Sequence, residues 1–192
     1  MPENRTRFST EFLSDEAGLG RLECYRRQHA PEFQRVCRDF AKRGWFPENS
    51  GNLSVLVENN ELLVTASDID KAVLKETELV LATRFDLANK RVWVYGGRKP
   101  TSETFMHHMI YQNFAARAVV HAHTREIVES EKLSHLRTPD FHEEGTLALA
   151  NAAIEKLNAA GSIVILKDHG VLAYGSSLPD AAQKIVDLSK KG

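Results

Sequence analysis

Residues 119–124 read VVHAHT, an apolar run that ends in two histidines two positions apart. If the run is a strand, successive side chains alternate faces, so His121 and His123 point the same way with Cα atoms roughly 7 Å apart. Two imidazoles so placed can grip one metal ion, because a neutral ring nitrogen is a common ligand for zinc and its neighbours. The competing reading is a pair of buried histidines satisfied by hydrogen bonds. Their shared face weighs against it, since desolvating two imidazoles side by side is unfavourable without something to bind.

Two nitrogens do not complete a site, so further ligands are needed. His169 lies between two apolar runs, IVIL and VLAY, with Gly170 behind it to permit close backbone approach or a positive φ. A solvent-facing turn residue is the alternative for it. Glu103 stands at the first turn of a helix leading into the histidine strand, where a carboxylate could reach the site or simply favour the helix dipole. Cys24 and Cys37 are the only cysteines, too few for a thiolate site or a disulfide framework, so histidines and carboxylates must hold any metal.

The elements that position these residues follow from hydrophobic period. EFQRVCRDFAKRGW, after Pro31, places Phe33, Val36, Cys37 and Phe40 at helical spacing and stops at Gly44. NLSVLV (52–57) and ELLVTA (61–66) predict a hairpin around Asn59 and Asn60, followed by strands LVLAT (79–83) and RVWVYG (91–96). Residues 101–117 return to a helical period, with Phe105, Met109 and Gln112 on one side and Thr101 or Ser102 as the cap. After the histidine strand come a helix from Thr124 and a better one striped by Leu147, Ala150, Ile154 and Leu157 and ended by Gly161. Two strands then flank the Asp168-His169-Gly170 turn, and Pro179 opens a last helix to about Leu188. Residues 1–20 read as a loose polar arm or a strap across a neighbouring subunit, and residues 21–192 as a single α/β domain of helices layered on a sheet.

A chain of 192 residues can bury one good core. With 42% hydrophobic residues, 27% charged residues and a net charge of -1, it has no excess that would draw nucleic acid or a membrane surface. A small ligand fits better. The start, MPENRTRFSTEF, has no apolar core of a signal peptide and no later run reaches membrane-spanning length, so a cytoplasmic location is expected.

Five segments together resemble the class II aldolase/adducin family, which includes fuculose-phosphate aldolases, ribulose-phosphate epimerases and methylthioribulose-phosphate dehydratases. They are GNLS (51–54), LLVTASDIDK (62–71), KPTSETFMHHMIYQ (99–112), VVHAHT (119–124) and ILKDHGVLAYG (165–175), in register from about residue 31 to 190. The resemblance implies a three-layer α/β/α sandwich with a central, largely antiparallel sheet, assembled as a homotetramer with active sites between subunits. It makes His121, His123 and His169 the ligands of one divalent ion, with Zn2+ expected, and Glu103 the acid/base residue that can also touch the metal. It assigns Asn52, Ser67, Thr101 and Ser102 to a phosphate cradle, a role that suits small hydroxyls beside a helix N-terminus. His107 also falls on a family histidine position, whereas His108 does not and is expected at the surface.

The implied activity is that of a metal-dependent, aldolase-like lyase acting on a small sugar or sugar phosphate through a metal-stabilised enediolate. Epimerase and dehydratase reactions of the same family are the near alternatives, and the glutamate of TSE resembles the aldolase branch. A non-catalytic assembly module like the adducin head is the alternative of a different class, and intact ligands argue against it. A zinc hydrolase would leave GNLS and TSE unexplained. The chain departs from the family pattern in two places. Asp68 stands where a glycine is usual, so a substrate phosphate would meet a carboxylate unless Asp68 turns away or pairs with Lys71. The segment between His123 and His169 lacks the aldolases' tyrosine, leaving His135, His142 or Glu143 as substitutes.

Overall fold

The structure is a computed structural model that describes residues 8–192. Its centre is one sheet of eight strands. These are β1 (Ser9–Leu13), β2 (Asn52–Leu56), β3 (Leu62–Thr65), β4 (Leu79–Asp86), β5 (Arg91–Tyr95), β6 (Ala118–Ala122), β7 (Ile163–Leu166) and β8 (Gly170–Gly175). They lie in the order β1-β5-β4-β3-β2-β6-β8-β7. Every pairing is antiparallel except β1 with β5. The helices are α1 (Glu16–Lys42), α2 (Thr104–Asn113), α3 (Arg125–Val128), α4 (Leu147–Ala160) and α5 (Leu178–Ser189). Helix α1 packs against α5, and α2 against α4, with the sheet in contact with both pairs.

The expected arm is different in the structure. Residues 1–7 of it lie outside the described residues, but Ser9–Leu13 form edge strand β1 in register with Arg91–Tyr95, and the rest begins α1. Glu11 and Arg91 face each other across that edge at 3.7 Å. Asp15 starts the helix as its N-cap, accepting the Gly18 N–H at 2.9 Å and the Tyr95 hydroxyl. Helix α1 therefore begins 15 residues before the expected Pro31 start and runs through that proline. A proline inside a helix costs about 3 kcal/mol. One stripe of α1 buries Leu22, Tyr25, Phe33, Val36, Cys37 and Phe40, and each such side chain contributes about 1.5–3 kcal/mol, enough to override it. Arg26 fastens the early half, donating to the Leu79 carbonyl at 2.7 Å.

The β2–β3 hairpin forms as predicted, with Asn59 and Asn60 both at positive φ. Alternation along β2 sends Asn52 and Ser54 to the face that meets α2, where their side chains bond Glu103 and His107, and Leu53 and Val55 to the other. Helix α2 is capped differently from expectation: its N-cap is Glu103, and the Thr104 hydroxyl donates back to the Thr101 carbonyl at 2.6 Å. Its buried face carries Met106, His107, Ile110 and Tyr111, while Gln112 is exposed.

Candidate active site

The three histidines converge. His121 lies on β6, His123 one residue beyond its end, and His169 in the β7–β8 turn, where Asp168 supplies the left-handed residue at φ 55°. The His123 N–H donates to the Trp45 carbonyl, which ties the residue after the strand to the segment behind it. His121 Nε2 is 3.0 Å from His123 Nε2 and 3.2 Å from His169 Nε2, so the lone pairs face a common point. Among the described residues these three are the cluster able to hold a metal ion, with one nitrogen from each. His121 is buried, and its Nδ1–H donates to the Val171 carbonyl at 3.1 Å, leaving Nε2 free to ligate.

Burial, and then the neighbouring imidazoles, hold His121 well below the ordinary histidine range and push His123 down to about 3. Neutral rings are the form a metal needs. Glu103 completes the cluster from the N-cap of α2, with Oε2 3.2 Å from His121 Nε2 and Oε1 3.3 Å from His169 Nε2. Although Oε1 is that close to His169, it is buried and accepts no hydrogen bond. Three imidazole nitrogens with a carboxylate beside them match the donor set of a catalytic divalent ion.

Gly170 holds the backbone against this cluster. A Cβ there would sit 2.6 Å from the Ala122 carbonyl oxygen and 2.7 Å from His121 Cε1. Close approach, rather than positive φ, is therefore why glycine stands beside His169. Gly170→Ala is expected to destabilise the protein by about 1–3 kcal/mol and to tilt the His121 ring. Denaturant midpoints and metal content of that variant check it, and an unchanged midpoint would refute the steric argument.

The cleft over the cluster holds about 680 Å3 and is lined by Asn52, Ser67, Asp68, Lys71, Arg98, Lys99, Thr101, Ser102, Glu103, His123 and Glu144. All four residues assigned to the phosphate cradle thus border one space with Glu103 and His123. The Ser67 hydroxyl is donated to the Pro100 carbonyl at 2.7 Å. Asp68 takes φ 55°, the left-handed geometry that suits the glycine usual there. Lys71 forms no ion pair with it: its buried ammonium donates to the Asn49 carbonyl at 2.6 Å and lies 5.7 Å from the Phe46 ring centre. Desolvation draws that ammonium down to about 8.

Of the residues offered in place of the tyrosine, His135 lines a separate hollow of about 320 Å3 with Leu133 and Lys191. Glu144, which no motif singles out, lines the cleft instead. His108 is half-buried rather than on the surface, stacked on Phe85 with ring centres 3.9 Å apart.

Behind Glu103 runs a line of buried polar groups. Asn52 Nδ2 donates to Glu103 Oε2 at 2.7 Å, and Asn52 Oδ1 meets His107 Nε2 at 2.7 Å. His107 Nδ1 meets Ser54 Oγ at 2.7 Å, and Ser54 Oγ meets the Tyr111 hydroxyl at 2.8 Å. Glu103 at the N-cap and His107 and Tyr111 within α2 are spaced four apart, and Asn52 and Ser54 two apart on β2, so the periods of helix and strand bring the two rows together. The sequence signal was there in that spacing, though only its first step, from Glu103 to His107, stands out in a linear reading.

Burial pushes the His107 imidazole down to about 4 from an ordinary 6.5. The unfolded chain takes up this proton near pH 6.5 and the folded protein does not until about pH 4. Stability is therefore intact above pH 6.5 and falls as pH drops, by about 1.4 kcal/mol per unit and about 3 kcal/mol in all. Urea denaturation of metal-free protein from pH 7.5 to 4 is expected to show that acid limb, shallower by this amount in His107→Gln. An equally steep limb in the variant would assign the loss elsewhere.

A family model described as class II aldolase and adducin N-terminal domain matches residues 31–131. The bifunctional enzyme MtnB/MtnX of Bacillus licheniformis is 29% identical over 82% of this chain, which spans 43% of that protein's length. A methylthioribulose-1-phosphate dehydratase of an Exiguobacterium species is 27% identical over 81% of this chain and 87% of its own. Among solved structures, a sugar-phosphate aldolase from Thermotoga maritima superposes with a TM-score of 0.74 at 22% identity, covering 85% of this chain and 91% of the other. At that identity the likeness is one of fold, a mixed α/β architecture on a mostly antiparallel sheet. No helix among the described residues is long and apolar enough to cross a membrane.

Proposed function

Because this chain belongs to the class II aldolase and adducin N-terminal domain family, we propose that it is a divalent-metal lyase acting on a small ketose 1-phosphate, with dehydration of the methylthioribulose 1-phosphate type as its reaction. The observation that carries this reading is the convergence of His121, His123 and His169 beside a Glu103 oxygen with unfilled lone pairs. An adducin-like assembly module would have no use for that arrangement.

His121, His123 and His169 would hold the ion, zinc being the one whose geometry three histidines best suit. Bound there, a divalent ion supplies Lewis acidity that polarises a carbonyl oxygen and acidifies the neighbouring C–H. Thr101 and Ser102 offer hydroxyls to the phosphate, and Ser67 can join them by giving up its bond to the Pro100 carbonyl, with Lys71, Arg98 and Lys99 offsetting both the phosphate charge and that of Asp68. Glu103 Oε1 takes the proton from the carbon beside the carbonyl. The electron pair left behind forms a C=C bond as the hydroxyl on the next carbon departs, and that hydroxyl leaves as water when a proton reaches it. The resulting enol becomes a ketone by proton transfer.

Retro-aldol cleavage is the second reading, favoured by the glutamate of TSE. It asks for a further proton-transfer group, and residues 124–168 contain no tyrosine to serve as one. Zinc-loaded protein incubated with methylthioribulose 1-phosphate and, separately, with fuculose 1-phosphate separates the two: loss of water from the first supports dehydration, and triose phosphate released from the second supports cleavage. Turnover of neither would remove the sugar-phosphate reading. A homotetramer is part of the proposal, because the open cleft leaves room for a neighbour's wall, and a monomer by sedimentation at working concentration would contradict it.

A further inference from the structure

The line of polar groups behind Glu103 has a direction. An amide oxygen can only accept, so His107 Nε2 must carry the proton it shares with Asn52 Oδ1 at 2.7 Å. His107 Nδ1 is then a bare acceptor, filled by the Ser54 hydroxyl at 2.7 Å. With that hydrogen used, the contact at 2.8 Å is filled from the Tyr111 hydroxyl, whose single hydrogen is shared with the Ser54 carbonyl at 3.0 Å. All the donors point one way, from Tyr111 through Ser54, His107 and Asn52 to Glu103 Oε2. Reversing the line would turn Asn52 Oδ1 toward the carboxylate, oxygen against oxygen, between two buried side chains.

We propose that His107 is a positioning residue for Glu103: it fixes the Asn52 amide with its N–H toward Oε2, so that one carboxylate oxygen is pinned and the other, Oε1, is left as the atom that handles the substrate proton. The two oxygens differ accordingly. Oε2 receives the Asn52 N–H at 2.7 Å, whereas Oε1 is buried and accepts nothing. Ser54 and Tyr111 serve by holding His107 in one tautomer. Burial keeps the ring neutral through the working range, so the tautomer does not change with pH. Loss of such an outer partner typically lowers activity about 10–100-fold.

The first test needs no substrate and does not depend on the reaction proposed above. Long-range 1H–15N spectra of histidine-labelled, zinc-loaded protein report which nitrogen of each neutral ring carries the proton. His107 is expected as the Nε2–H form from pH 6 to 8, and an Nδ1–H form would overturn the proposal. The second test rests on the ketose phosphate reading and compares His107→Leu with His107→Gln, whose side-chain amide can restore a donor where Nε2 lies. His107→Leu is expected to lower kcat by about 10–100-fold, with KM within about twofold and metal content unchanged, and His107→Gln to recover most of the loss. A Leu variant that keeps its kcat, or loses metal together with activity, would show His107 to be mere packing. If the parent turns over no ketose phosphate, that reading fails alone and the tautomer still decides this one.

Discussion

Glu103→Gln is expected to reduce turnover by about 10²–10⁴-fold, the range spanned by the loss of a positioned general base. The substitution keeps the shape of the side chain and an oxygen for Asn52 Nδ2, now 2.7 Å from Oε2. What it removes is the ability to take a proton at Oε1. The three imidazoles are untouched, so zinc content should stay at about one ion per chain, and KM should move little because the phosphate contacts come from other residues. Steady-state kinetics paired with elemental analysis of the same preparation check this. A variant retaining more than about a tenth of parental kcat would give the proton transfer to another group, and Glu144, which lines the same cleft, would be the first to test.

His121→Ala is expected to have the largest effect on metal. This histidine is fully buried and its Nε2 lies within 3.2 Å of both His169 and Glu103. Removing it takes a ligand from the middle of the cluster, so affinity should fall by more than the roughly 10–100-fold that loss of an outer partner costs. Thermal stability gives a second readout. Metal present at about 100–1,000 times its Kd stabilises the parent by about 3–4 kcal/mol, which for a chain of this size is on the order of 10 °C in Tm. A chelator should therefore lower the melting temperature of the parent by that amount and leave His121→Ala where it was. Equal chelator shifts in both proteins would place the ion elsewhere.

The convergence of the three histidines was legible in the sequence because it depends on short-range geometry. Alternation along a strand aimed His121 and His123 together, even though β6 ends at Ala122, and the turn chemistry of Asp168-His169-Gly170 returned the third ring to them. The hairpin, α4 and α5 were equally local. What escaped depended on distant partners. β1 is an edge strand with mostly exposed side chains and so has no apolar alternation to betray it; it exists because β5 offers it a backbone ladder. Helix α1 extends back past Pro31 because Asp15 caps it and the sheet receives Leu22, Tyr25 and Arg26, none of which the local period of residues 31–44 discloses. His108 looked superficial because Phe85, which covers it, lies 23 positions earlier on a strand that runs farther than its apolar core. The donor line behind Glu103 was legible in principle as two polar rows of matching period, but only the contact between β2 and α2 turns the rows into a chain.

The ring of His121 is oriented by a carbonyl of the main chain, that of Val171, whereas Glu103 is oriented by side chains. No point substitution at 171 can delete a carbonyl, but a single base change can delete Asn52, His107 or Ser54. The setting of the His121 ring is therefore robust to drift, and that of the Glu103 carboxylate is fragile. If the proposed roles hold, substitutions behind the two groups would disturb proton transfer at Glu103 before they turned the His121 ring away from an ion. For an engineer the same asymmetry is useful: the row on α2 can be varied to seek a new reaction while the backbone goes on presenting the His121 ring.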